Sequence, residues 1–253
     1  MTNTTTTTAH TQISAREMFV NSCHVWHKTS RWNPSMKKYL YGIKNWVHIF
    51  DLEESSKMFV ELLNQVSELS AQWKTILFVS TKPQTQEMLS NIHETTWMPI
   101  VSYKWFGGLL TNFSTIKQRI ALMRKLRDQF ATWEISKYTK KEQSQFKKEL
   151  EKLSTALWGL EKMNSIPDAV FVIDWKRDKI ALDEANKLWL PVLWIMDSNT
   201  DPRDYSFWVP CNDDSVKSLA YVLWFIEESI MTSKRAPKSA PVSSDAWGVR
   251  KLK

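Results

Sequence analysis

Ala169-Val170-Phe171-Val172-Ile173-Asp174, then Ile180–Leu188, then Pro191-Val192-Leu193-Trp194-Ile195-Met196 is the stretch on which the fold turns. Its two outer segments are short, rich in β-formers and apolar at successive positions rather than alternate ones. A strand that meets water on one face alternates, whereas a strand covered on both faces does not. These therefore read as buried strands of a parallel sheet. The segment between them has the length and periodicity of a helix, which is the crossover that parallel neighbours require.

The same alternation continues outward. Upstream, Glu53–Ser70 carries Met58, Leu62, Val66 and Leu69 on one helical stripe, and Thr75–Val79 is a second buried strand. A helix over Gln84–His93 and a short strand over Pro99–Val101 follow. Downstream, Ser206–Val209 reads as a last strand and Ser215–Met231 as a closing helix. Ser14–Asn21 is a short helix, with Ser14 as N-cap and Glu17 completing a capping box. Cys23–Phe50 reads as an irregular basic segment.

Residues from Asn112 to Met163 are different in kind. Ile116, Ile120, Met123 and Phe130 fall near heptad spacing, as do Phe146, Leu150, Leu153 and Leu157, with Ala131–Tyr138 breaking the pattern. Two long antiparallel helices with a coiled-coil seam are expected there. The expected class is α/β: a doubly wound, mostly parallel sheet at 14–231, interrupted by a helical hairpin at 112–163. Disordered tails are expected at 1–13 and, basic in character, at 232–253.

Composition narrows the function. The chain has 253 residues, 34 basic and 27 acidic, for a net charge of +7. Such an excess favours a polyanionic partner, nucleic acid before membrane. The longest apolar run, Leu188–Met196, contains a proline and is far short of the roughly 20 residues of a membrane span. The N-terminus has no charged region followed by an apolar core, so a secretory signal is not expected. Cys23 and Cys211 match no zinc-ribbon or paired redox spacing, and a cytoplasmic protein with reduced thiols is expected.

A doubly wound sheet invites a nucleotide-enzyme reading, but its anchors are absent. There is no Gly-x-Gly-x-x-Gly after a strand, no Gly-x-x-x-x-Gly-Lys and no Gly-x-Ser-x-Gly. Asp197-Ser198-Asn199-Thr200-Asp201 sits at the carboxyl end of a strand, where open α/β sheets bind ligands. Its spacing approaches a calcium loop, yet Pro202 stands in place of the required glycine and Trp208 in place of the closing glutamate. A structural loop is the simpler role. Cys23, His24 and His27 offer three ligands without a fourth, so no metal and no cofactor is expected.

Lys28, Arg31, Trp32, Lys37, Lys38, Tyr39, Tyr41, Lys44 and His48 mix basic and aromatic side chains in a loop-like segment. Cations neutralise phosphates and planar rings stack on unpaired bases. A surface loop over ordinary packed aromatics has the same composition. Residue types alone leave the two open.

The same segment carries a family likeness. His24-Val25-Trp26-His27-Lys28-Thr29-Ser30-Arg31-Trp32-Asn33-Pro34 resembles the opening signature of the bacterial-type ribosomal protein S2 family of the small subunit, His-Phe-Gly-His-x-Thr-x-Arg-Trp-Asn-Pro. The likeness continues through Met36–Ile49, Ile76–Lys82, Lys104–Asn112, Tyr138–Glu142, Pro167–Asp174, Asp197–Pro202 and Pro210–Asp214, in order. It implies a non-catalytic structural constituent of the small ribosomal subunit, cytoplasmic and ribosome-bound. The partners implied are small-subunit ribosomal RNA and neighbouring ribosomal proteins, including the largest one, with no membrane and no homo-oligomer. Together with the basic-aromatic reading, it makes His24, Lys28, Arg31, Trp32, Asn33, Lys37, Lys38, Lys44, Asn45, His48, Lys82, Lys104, Trp105 and Asn112 the candidate RNA contacts. A small-molecule α/β enzyme using the Asp197 and Asp213 loops, or a hairpin-based protein adapter, is the alternative.

Fourteen tryptophans against five glycines is the chain's compositional anomaly. Trp26, Trp46, Trp73, Trp97, Trp133, Trp158 and Trp189 stand where the family pattern has glycine, whereas Trp32 and Trp105 stand where it has tryptophan. Trp73, Trp97 and Trp189 each follow a helical segment, where a left-handed residue usually closes the helix. The expectation is that these seven are turn positions, encoded by a UGA codon that the source reads as glycine.

Overall fold

A computed structural model describes residues 13–28, 32–44, 46–197 and 207–235, with the side chains of 26–28 and 235 left aside. In chain order the elements begin with α1 (Ala15–Val20), β1 (Val25–Lys28), β2 (Leu40–Lys44), β3 (Val47–Phe50) and α2 (Leu52–Ala71). Next come β4 (Ile76–Val79), α3 (Gln86–Thr96), β5 (Ile100–Val101), α4 (Phe113–Ala131) and α5 (Lys140–Leu157). The chain continues through β6 (Ala169–Val172), α6 (Lys179–Lys187), β7 (Val192–Met196), β8 (Phe207–Pro210) and α7 (Val216–Arg235).

Five strands form one sheet in the order β5-β4-β6-β7-β8, every pair parallel. Alternation along each strand divides its side chains between two cores. Leu77, Val79, Val170, Val172, Val192, Trp194 and Met196 face one side, over which α6, α4 and the base of α5 pack. Ile76, Phe78, Ala169, Phe171, Leu193 and Ile195 face the other, covered by α2, α3 and α7. Both faces are dry, which is why these strands read as continuous apolar runs. The crossover helices α3 and α6 contribute to opposite cores, so the sheet is doubly wound as expected.

Local signals set the helix ends. Asp51 Oδ1 accepts from the amides of Glu53 and Glu54 at 3.0 and 3.4 Å, opening α2 one residue before the periodic pattern suggested. Thr139 and Glu142 form a complete capping box at the start of α5. Ser14 caps α1 by accepting from the Glu17 amide at 3.2 Å. The last helix runs to Arg235, four residues beyond the expected boundary at Met231, so 232–235 are helical rather than tail. The expected tail segments 1–12 and 236–253 lie outside the described residues.

α4 and α5 lie between β5 and β6 in the chain and are joined by the turn 132–139. Ile116, Ile120, Met123 and Leu126 of α4 are buried, as are Leu153 and Leu157 of α5, so the seam is driest toward the sheet. Glu161, just beyond α5, pairs with Arg127 of α4 at 2.9 Å and contacts Arg124. Near the turn, Tyr138 meets Phe146 edge-on at 5.2 Å.

One expectation needs correction. The segment expected to be irregular forms a second, antiparallel sheet in the order β1-β3-β2. Its pattern is hard to read because β2 is largely exposed on both faces, with only β3 showing a buried alternation at His48 and Phe50. Gly42 adds no side chain to that pattern. Among the described residues no helix is long and apolar enough to cross a membrane.

Among the described residues, six that are not glycine have left-handed backbone. Five of them are tryptophans: Trp46, Trp73, Trp97, Trp133 and Trp189, with φ between 57° and 63°. Trp46 lies in the β2–β3 turn, and the other four each end a helix. At Trp73 the Lys74 amide donates to the Leu69 carbonyl and the Trp73 amide to the Ser70 carbonyl, both at 3.0 Å. The Leu190–Ala185 and Trp189–Asn186 pairs repeat this at 3.0 and 3.1 Å. That is the Schellman closure, whose left-handed residue is usually glycine. Trp158 does not share it: its φ is −55°, right-handed. There the neighbouring Gly159 is the constrained position, because a Cβ on it would collide with Ile100.

Candidate nucleic-acid interface

The small sheet and the 3-10 turn Pro34–Tyr39 position the basic candidates. Asn33 caps that turn, its Oδ1 accepting from the Ser35 amide at 2.9 Å. Met36 and Tyr39 point inward, pinning the turn against the large sheet's core, while Lys37 and Lys38 are exposed. Lys38 Nζ stands 4.6 Å from the Tyr39 ring centre, within cation–π range. Lys44 is exposed at the end of β2. Trp32 stacks at a tilt on His48, with ring centres 4.9 Å apart. His24 lies flat on Phe19 at 4.2 Å. Burial lowers its pKa and the nearby Lys44 lowers it further, against a backbone contact to Phe19, so the charged form is disfavoured.

Lys104 and Asn112 are exposed on the loop that leads into α4. The Asn112 side-chain oxygen accepts from the Thr115 hydroxyl at 3.0 Å and the Ser114 hydroxyl at 3.2 Å. Lys28 contributes backbone to β1, but its side chain, Arg31 and Asn45 lie outside the described residues.

Three of the candidates, Lys82, Trp105 and His48, are buried within the chain. Lys82 is only 4% exposed. Its ammonium contacts the Asp174 carboxylate at 3.0 Å, Asp213 at 3.2 Å and Asp214 at 2.8 Å, and donates to the Asp213 carbonyl at 2.7 Å. Burial alone would lower its pKa, but the surrounding carboxylates outweigh that and raise it, so the charge is locked in. Trp105 is also buried, its Nε1 donating to Glu184 at 3.0 Å. His48 is buried beneath Trp32, and burial lowers its pKa. Neither of its ring nitrogens has a hydrogen-bond partner among the described residues.

Glu184 was invisible as a functional residue in the sequence. Its carboxylate accepts from Trp105 Nε1, from the amides of Gly108, Leu110 and Thr111, and from the Thr111 hydroxyl, at 2.7 to 3.1 Å. Burial alone would raise its pKa; these donors more than reverse that and hold it below the usual carboxylate range. The signal was an acid on the apolar stripe of Ala181, Ala185 and Leu188. A carboxylate there needs a full set of donors.

The crevice that could have served an enzyme is closed by protein. Strand order reverses at β4, so the switch point lies between β4 and β6, where Lys82 and Asp174 follow the strands' carboxyl ends. Asp197, Asp213 and Asp214 bring carboxylate oxygens within 4.8 Å of one another beside them. The Lys82 ammonium already supplies that cluster with its cation. Cys23 does not join His24 in a ligand set either. It is buried and faces the Ser218 hydroxyl, 3.5 Å away, which also touches Cys211 Sγ at 3.0 Å.

A model of the ribosomal protein S2 family matches residues 18–233. The chain belongs to the ribosomal protein S2 family. The small ribosomal subunit protein uS2 of Geotalea uraniireducens (strain Rf4) is 37% identical over 236 residues, covering 93% of this chain and 92% of that protein. As a ribosomal protein S2 family member, the chain has a structural role in the small ribosomal subunit and is not an enzyme. The enzyme alternative built on Asp197 and Asp213 is thereby set aside.

Proposed function

We propose that this chain docks on small-subunit ribosomal RNA through the face that carries Trp32, Lys37, Lys38 and Lys44, with Lys104 extending it. The observation that carries this is electrostatic: Lys37, Lys44 and Lys104 are exposed and have no ion-pair partner among the described residues. Unpaired cations on a rigid sheet and turn leave their charge available to phosphates, and releasing counterions supplies affinity. Phosphate contacts of this kind orient the protein without reading sequence. Arg31, Lys28 and Asn45 belong to the same segment by position.

The chain works as a single copy within the cytoplasmic ribosome, beside other small-subunit proteins that include the largest. The hairpin and the sheet's outer surfaces are left for those neighbours. Co-sedimentation with small subunits at moderate salt tests this reading. The tagged chain is expected in the subunit fraction, and its absence there would overturn the proposal. Replacing Arg31 and Lys37 together by alanine is expected to weaken recovery, and undiminished binding would refute this choice of surface.

A further inference from the structure

Among the described residues, five tryptophans have left-handed backbone and the others do not. Trp32, Trp105 and Trp208 have partners for their rings: His48 for the first, Glu184 for the second, and Tyr39 edge-on at 4.7 Å for the third. Trp46, Trp73, Trp97, Trp133 and Trp189 share the opposite environment. Each has φ between 57° and 63°, and each residue is 62–88% exposed. Of these five, only Trp97 has a ring contact among the described residues, with Lys162 Nζ 3.2 Å from its ring centre.

Left-handed backbone brings the Cβ of an L-residue against its own following carbonyl, and only glycine escapes that clash. Asparagine and aspartate tolerate it through local hydrogen bonds, which an indole cannot make. Fourteen of 253 residues are tryptophan, yet tryptophan holds five of the six non-glycine left-handed positions among the described residues. Independent mutations would not choose these sites, because they are where the side chain is least welcome. A rule that writes tryptophan wherever the chain carries glycine of one codon would choose them, since turns are where glycine is concentrated.

We infer that the functioning protein carries glycine at positions 46, 73, 97, 133 and 189, encoded by UGA, a codon whose meaning varies among genetic codes. The inference rests on backbone geometry and hydrogen bonding, and holds whichever surface binds RNA. It extends to neither Trp158, whose backbone is right-handed, nor Trp105, whose indole nitrogen is used.

The test has three readouts. The gene is expected to have UGA at all five codons and UGG at 32 and 105; UGG at the five would overturn the inference. Peptides of the protein purified from ribosomes of the source cells are expected to weigh as glycine at the five positions, and tryptophan masses there would overturn it. In recombinant protein, replacing all five tryptophans by glycine is expected to raise the urea midpoint, or to yield folded protein where the tryptophan form gives none. Replacing them by alanine removes the rings but keeps the Cβ, and is expected to gain less. An alanine variant as stable as the glycine one would show that ring exposure, not backbone, is responsible, and would sink the argument.

Discussion

Lys82 Nζ lies 3.0 Å from the Asp174 carboxylate, and the pair bridges the carboxyl ends of β4 and β6 at the point where strand order reverses. In doubly wound sheets this crevice receives a ligand. Here a side chain of the protein occupies it, with Asp213 and Asp214 as further partners. Lys82→Ala would leave buried carboxylates without their cation. Removing one member of a buried ion pair costs about 3–5 kcal/mol, so a large fall in the urea midpoint is expected. An unchanged midpoint would mean that the cluster is not structural.

Asp213 gives that cluster a pH dependence. Burial, and then repulsion from Asp197, push its pKa up to about 8, against the pull of Lys82. The unfolded value is about 4, so the native state holds the extra proton between those limits. This contribution is fully present below about pH 4 and is lost as pH rises through the folded pKa. Asp213→Asn is expected to compare more favourably with the parent at pH 9 than at pH 5. Parallel unfolding curves for the two proteins across that range would contradict the assignment.

Glu184 has the opposite sign. Its pKa is depressed, so its contribution is present above the unfolded carboxylate value and fades as pH falls through the folded one. Glu184→Gln keeps the shape but removes the charge and turns one acceptor into a donor facing other donors. A loss of roughly 1–3 kcal/mol is expected. Hydrogen exchange should show it first at the amides of Gly108, Leu110 and Thr111, which donate to this carboxylate. Exchange unchanged at these amides would refute the role.

For RNA binding, replacing Lys37 and Lys38 together by alanine is expected to reduce the slope of log affinity against log salt by about 2, one for each phosphate that is no longer neutralised. Trp105→Phe is expected to leave that slope unchanged, because its indole is turned to Glu184. A slope insensitive to both lysines would place the interface elsewhere.

Apolar runs and helical stripes made the parallel sheet legible, because a strand dry on both faces leaves an unbroken run of the kind seen at Ile76–Val79. The two heptad runs fall on the helices α4 and α5. The antiparallel sheet was not legible, since β2 is mostly exposed and its alternation has little apolar contrast. For the candidate interface, residue type named lysines well but not their surroundings. Lys37 and Lys82 are the same residue in sequence, one exposed and one enclosed by three aspartates that lie 92 to 132 positions away. Long-range partners of that kind leave no local mark. The left-handed tryptophans were legible for the reverse reason: a helix end is a local event with its own residue requirement.

The Glu184 cradle also has a mechanical meaning. α4 has 19 residues and so runs on the order of 28 Å, its first half packed in the core that covers the sheet. The strand-to-hairpin loop is held at the root of α4 by one carboxylate on α6, which packs against the sheet. Glu184 is thus a single tie between α6 and the loop at the root of α4, and losing it would uncouple that root from the helix beneath.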